Sequence, residues 1–355
     1  MIGGITVYLR KIVMLVFVAL FAMGVLVAPA IADEKVIEWK LTAPDSAGVP
    51  RYELLNYFVD AVLEASGGRL VIKLFPAGAL YPVFDSLDSV KMGVTEATIT
   101  WGDYWVGKEP MLQLLTYRPC DPFKNLSEMN YFLSKYEPLV RETYSDLGVV
   151  YAGSVLAGEE VFHSNVEIKS LKDIKGLRVR ASGLGQQLLN SLGASIVTMP
   201  MPEVYSAMQL GTLDAFESGG FATNWKYRYQ EVTKFTMYPP IHMPAGLLGG
   251  QVLVNKKAWN ELPDDLKNVV QDCADAARLN SWIQFKKLNK QARKQFEDAG
   301  NTVYSLPDNV MAEVRKAGVE VLLNYREKSP RSKLLIDIYQ ETLKELGYTE
   351  LAAMF

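Results

Sequence analysis

Two residues of the chain have the type and placement to grip a small charged molecule, Arg180 and Glu217. A guanidinium holds a carboxylate through two parallel hydrogen bonds in a fixed fork, which a lysine cannot reproduce. On position alone Arg180 equally fits a surface arginine paired with a local acid. Arg178, two residues earlier, points to the opposite face of an extended segment and reads as exposed. Glu217 has three readings: it accepts a ligand hydroxyl, binds a cation, or caps the next turn. Ser182, just past Arg180, and Asn224, just past Glu217, join the candidate binding set. Trp101, Tyr104 and Trp105 crowd one turn behind an apolar stretch. Aromatics so placed line a ligand cleft or, in the alternative, fill a hydrophobic corner.

Bond-making chemistry is poorly served. His163 and His242 are the two histidines of the chain, and neither has the spacing of a metal-ligand motif. No Gly-x-Ser-x-Gly elbow is present. Ser182-Gly183-Leu184-Gly185 is glycine-rich but lacks the third glycine and the acid of a dinucleotide site. The expectation is therefore a binding protein without a cofactor. One rival is an enzyme acting on a small acid with Glu217 or His163 as base. The other is a sensor that reports occupancy to a membrane kinase.

The elements that position these residues follow from periodicity. Residues 177–180, 195–198 and 213–217 read as strands, with helices over 184–192 and from Pro202 to Gly211 between them. Such β-α-β-α-β units build parallel sheets whose strand ends meet a ligand cleft. An earlier unit reads the same way, with strands at 36–41, 70–75 and 97–101 and helices at 51–66 and 83–92. A shift of 118 positions lays residues 91–97 over 209–215, both with Gly-x-x-acid-Ala at a strand entry. The fold class is accordingly α/β in two lobes, each a mainly parallel sheet flanked by helices. Residues 263–299 keep helical periodicity without a break, roughly 55 Å at 1.5 Å per residue, long enough to brace both lobes.

Composition sets the setting. Arg10-Lys11, an apolar run over 12–27 and the small-x-small exit Ala30-Ile31-Ala32 describe a secretory signal peptide over residues 1–32; an uncleaved anchor helix is the competing reading. Cleavage removes two basic residues and no acid, leaving 35 basic and 40 acidic residues, a net charge of −5. That balance argues against nucleic acid or anionic lipid as partner and fits an exported periplasmic protein. Cys120 and Cys273 either pair there or remain as buried thiols. The expected organisation is a first part of lobe I over 33–153, lobe II over 154–245, a return strand over 246–262, the bracing helix over 263–299, and a closing strand and helices over 300–355.

Three stretches carry a family resemblance: KGLRVRASG from Lys175, LGASIVTMPMPEVYSAMQLGTLDAFES from Leu192, and VLVNKKAWNELPDDLK from Val252. They resemble the periplasmic solute receptors of TRAP transporters, and YWVGKEPMLQLL is similar to the branch that binds 2-oxo acids and related small carboxylates. The resemblance implies two lobes closing on a small organic acid, a membrane permease as partner and, in some relatives, a homodimer through a terminal helix, here residues 332–346. It makes Arg180 the carboxylate clamp. In the 2-oxo-acid branch the glutamate matching Glu217 is followed by tryptophan and shares a metal ion with a glutamine. Here Ser218 follows and residues 153–160 offer no glutamine, so a metal would fall to Glu217 with Glu159 or Glu160 as substitute oxygen ligand. The second arginine of the sialic-acid branch is absent, which disfavours that sugar.

Overall fold

A computed structural model describes residues 36–355 except Tyr117, Pro200 and Ala245, and omits the side chains of Pro202, Leu247 and Leu248. The expected signal peptide lies outside the described residues. Eleven strands among them form two sheets. The first contains β1 (Ile37–Thr42), β2 (Leu70–Phe75), β3 (Ala97–Thr100), β4 (Val149–Gly158) and β10 (Leu247–Asn255) in the order β2-β1-β3-β10-β4. The second contains β5 (Glu160–Ser164), β6 (Arg178–Arg180), β7 (Ser195–Val197), β8 (Ala215–Gly219), β9 (Phe235–Met237) and β11 (Thr302–Tyr304) in the order β11-β9-β5-β8-β6-β7. Each sheet holds one of the units read from the sequence. β2-β1-β3 and β7-β6-β8 follow the same order, second strand, first, third.

The internal match at 118 residues now has a physical account. The helices Ser86–Met92 and Met201–Gln209 end at Gly93 and Gly211, whose φ values of 77° and 66° favour glycine. The acid that follows is a backbone cap in both lobes. Lys40 N donates to Glu96 Oε2 at 2.7 Å, and Arg178 N donates to Asp214 Oδ2 at 2.8 Å. The repeated acids thus tie the first strand of each unit to the third.

Helices cover the sheets by burying one stripe each. Leu55–Ala65 buries Leu55, Phe58 and Val62, three and four positions apart. Burying a side chain of that size contributes about 1.5–3 kcal/mol. The segment expected as one helix over 51–66 is broken at Leu54, with Pro50–Glu53 as a separate turn. The expected change of lobe near residue 153 falls inside β4, which continues to Gly158. Only Glu159 separates it from β5 in the other sheet. β10 then returns to pair antiparallel with both β3 and β4.

The long helix Asp264–Asp298 touches both sheets' layers. Its Ser281 accepts from Ala157 N at 2.8 Å beside the first sheet, and its Asn289 accepts from Ala222 N at 3.0 Å beside the second. Its Phe296 lies in the core that Val161, Phe216, Phe221 and Tyr229 form. Cys120 and Cys273 are buried free thiols. No helix among the described residues is long and apolar enough to cross a membrane.

Candidate functional site

Where the two sheets face each other lies a cavity of about 20 Å³, counted as space open to the centre of a water. Arg51, Trp101, Asp103 and Tyr104 line it from the side of the first sheet. Glu160, Arg180, Ser182, Met201 and Glu217 to Gly219 line it from the second. On this measure one water needs at least about 10–15 Å³, so the cavity has room for one or two waters and sets a tight limit on the size of any occupant.

β6 and β8 are adjacent and parallel, which sets Arg180 beside Glu217. Arg180 Nη1 donates to Glu217 Oε1 at 2.7 Å and to the Glu217 carbonyl at 3.2 Å, and its Nε donates to the Met199 carbonyl at 3.1 Å. Ser182 adds its backbone N–H and its hydroxyl to the same Oε1 at 2.8 and 3.1 Å. Burial raises the Glu217 pKa, and Arg180 pulls against that rise. The other carboxylate oxygen, Oε2, is buried with no hydrogen-bond partner among the described residues. Removing one partner of such a buried pair costs about 3–5 kcal/mol.

A second arginine enters from the first lobe. Arg51 follows the loop after β1 and donates from Nε and Nη2 to Asp45 Oδ1 at 3.0 and 2.6 Å. Its guanidinium lies 5.6 Å from the Trp101 ring centre. Gly219 permits the approach, since a Cβ there would stand 2.9 Å from Arg51 Nη1. Asp103, in the 3-10 turn Gly102–Trp105, is buried and lines the same cavity. Burial and the Glu217 charge push its pKa up to about 7 against the pull of Arg180. Its Oδ1 also has no hydrogen-bond partner among the described residues.

Glu160 lines the cavity and is held from behind by His242, whose Nε2 lies 3.0 Å from Glu160 Oε2. Burial works against the Glu160 charge, but the His242 hydrogen bond and nearby Arg51 and Arg180 leave its pKa lowered. Gly185 makes room for this histidine, because a Cβ there would lie 2.8 Å from that of His242. Gly185 therefore serves packing. Glu160, Glu217 and His242 offer ligand atoms within 4.8 Å of one another. Calcium takes six to eight oxygens, whereas this cluster brings two carboxylates and an imidazole, with His242 already on Glu160 and Arg180 on Glu217. The set does not fit such an ion.

Four residues named from the sequence stand outside the cavity lining. Glu159, expected at a metal, bonds instead to Tyr238, Lys286 and Asn289. Asn224 lies one layer behind the cavity, accepting from Ser218 Oγ at 2.6 Å and reaching the Gly219 carbonyl and His163 Nε2. Trp105 is buried beneath the turn, outside the lining. His163, the rival base, is a core residue between Phe216 and Phe296, held by Thr236 and Asn224. Burial pushes its pKa down to about 3, which keeps it neutral.

Residues 43–328 match the family described as bacterial extracellular solute-binding protein, family 7. The chain belongs to that family. A relative from Nostoc sp., named a monocarboxylate 2-oxoacid-binding periplasmic protein, is 27% identical over 311 residues, covering 86% of this chain and 83% of its own. A TRAP transporter solute-binding protein from Bordetella bronchiseptica, solved with calcium and picolinate, superposes with a TM-score of 0.80 at 23% identity over 90% of this chain and 95% of that one. Another from Colwellia psychrerythraea, solved with calcium and pyruvate, gives 0.78 at 24% over 88% and 95%.

Within this family fold the cavity gathers Trp101, Tyr104, Arg180, Ser182 and Glu217 of the expected site. Arg51, Asp45, Asp103 and His242 were missed, and Glu160 was expected only as an alternative metal oxygen. Pro50 at a helix start, with Asp45 six residues before Arg51, was the available signal for the second arginine. Membership also accounts for the two-lobe α/β architecture.

Proposed function

We propose that the chain is the solute receptor of a TRAP-type uptake system and holds a small organic acid between Arg51 and Arg180. The observation that carries this reading is that two buried guanidiniums, one from each lobe, meet at one small cavity. The acid's carboxylate draws on donors now shared with Asp45 and Glu217, and the Trp101 and Tyr104 rings cover its body. Closing the lobes excludes water, which strengthens the ion pairs that water would weaken. The cavity size favours a monocarboxylate of a few carbons, a 2-oxo or 2-hydroxy acid. The printed names of the Nostoc relative and the Colwellia structure, with 2-oxoacid and pyruvate, agree with that size.

The receptor works in the periplasm after export directed by residues 1–32, and delivers its cargo to a membrane permease. Pairing of two copies through residues 332–346 would have to use a largely polar face, since Leu335, Ile336, Tyr339 and Leu343 are buried within the chain. A thermal-shift panel of small acids tests the reading, with NMR of the same mixtures for product. Stabilisation without turnover supports a receptor. Turnover, or no response to any carboxylate, overturns it.

A further inference from the structure

Two carboxylate oxygens at the cavity have no donor to answer them among the described residues. Glu217 Oε1 receives Arg180 and Ser182, while Oε2 of the same carboxylate, on a residue 1% exposed, has no partner among the described residues. Asp103 Oδ1, on a residue 7% exposed, is in the same position. Both residues line the cavity beside Arg180. A buried acceptor without a donor is costly, so this arrangement suits an occupant that brings one. A 2-oxo acid presents only acceptor oxygen next to its carboxylate and would set it against these oxygens. A 2-hydroxy or 2-amino acid presents an O–H or N–H.

We propose that Glu217 Oε2 and Asp103 Oδ1 form an acceptor subsite that selects small acids bearing a hydrogen-bond donor on the carbon next to the carboxylate. The proposal rests on the receptor reading for the carboxylate end and supplies the other end. The ligand's donor bridges toward both acids, directly and without an intervening cation. Sites built around a buried hydrogen-bonding group reject analogues that leave that group unpaired.

The test is calorimetry of the mature chain, freed of co-purified solute, with lactate, alanine and pyruvate at pH 8, where Asp103 is ionised. Lactate or alanine is expected to bind at least ~10-fold more tightly than pyruvate, about 1.4 kcal/mol. In Asp103→Asn, whose amide can donate to a 2-oxo group, the ratio is expected to fall toward one or invert. Pyruvate binding as tightly as both others in the native chain overturns the subsite and leaves the receptor reading standing. Failure of all three to bind overturns the subsite, and the receptor reading falls with it only when the wider panel of small acids also gives no response. An unchanged ratio in folded Asp103→Asn removes Asp103 from the subsite. The native ratio decides the main question even if that variant does not fold.

Discussion

The two lobes reach the cavity through the same three-strand order, β2-β1-β3 and β7-β6-β8, yet arm it by different means. In the second lobe Arg180 and Glu217 sit on neighbouring strands, so sheet hydrogen bonding fixes their separation. In the first lobe Asp45 is in a loop, Arg51 in a four-residue helical turn and Asp103 in a 3-10 turn. The repeated acids Glu96 and Asp214 hold backbone in both lobes and stay outside the cavity lining. Likeness between the lobes is therefore a property of the scaffold, and difference is concentrated in the segments that follow strand ends. Loops can diverge in sequence without disturbing the strands that carry them.

Four substitutions or titrations break or sharpen that comparison. Arg180→Ala leaves Glu217 buried without its cation and should lower ligand affinity by roughly 30-fold or more, from a loss of about 2–5 kcal/mol; calorimetry with the best-binding acid checks it. Arg51→Gln, the corresponding change in the irregular lobe, should lower affinity by about 10-fold in the same assay. An unchanged affinity there would make the site the work of the second lobe alone.

The third is a pH effect. Asp103 is more basic in the fold than in the unfolded chain, so the native state binds more protons between pH 4 and 7 and stability falls as pH rises through that window. Glu217 and Arg180, with Tyr104 beside them, are the charged and titratable groups facing it, and Arg51 and Glu160 also line the cavity. Urea unfolding at pH 5 and pH 8 should show ~2–4 kcal/mol of this loss in the native chain, absent from Asp103→Asn. The smallest effect is expected for Asp214→Asn. Its pair with Arg178 is partly exposed and should contribute no more than about 1 kcal/mol, with affinity unaltered.

Legibility in the sequence followed regularity of structure. The parallel units, the return strand β10 and the long helix could be read because periodicity of 2 or 3.6 persists through them. Arg180 and Glu217 came with them, as strand-end residues. Arg51 was hidden because apolar spacing ran past Leu54 and merged a separate turn into one helix. Asp103 was passed over within the aromatic turn, where no period assigns a side to each residue. Glu159 and Glu160 show the limit most sharply. Neighbours in an extended chain face opposite ways, so choosing between them needs the register, and β5 takes its register from β8 across the sheet.

The central claim, an acid held between the guanidiniums of both lobes, is met most directly by a crystal structure of the chain with its co-purified solute. The account predicts a carboxylate within hydrogen-bond distance, about 3 Å, of both Arg51 and Arg180. A solute seated elsewhere, with both arginines still turned to Asp45 and Glu217 alone, would contradict it.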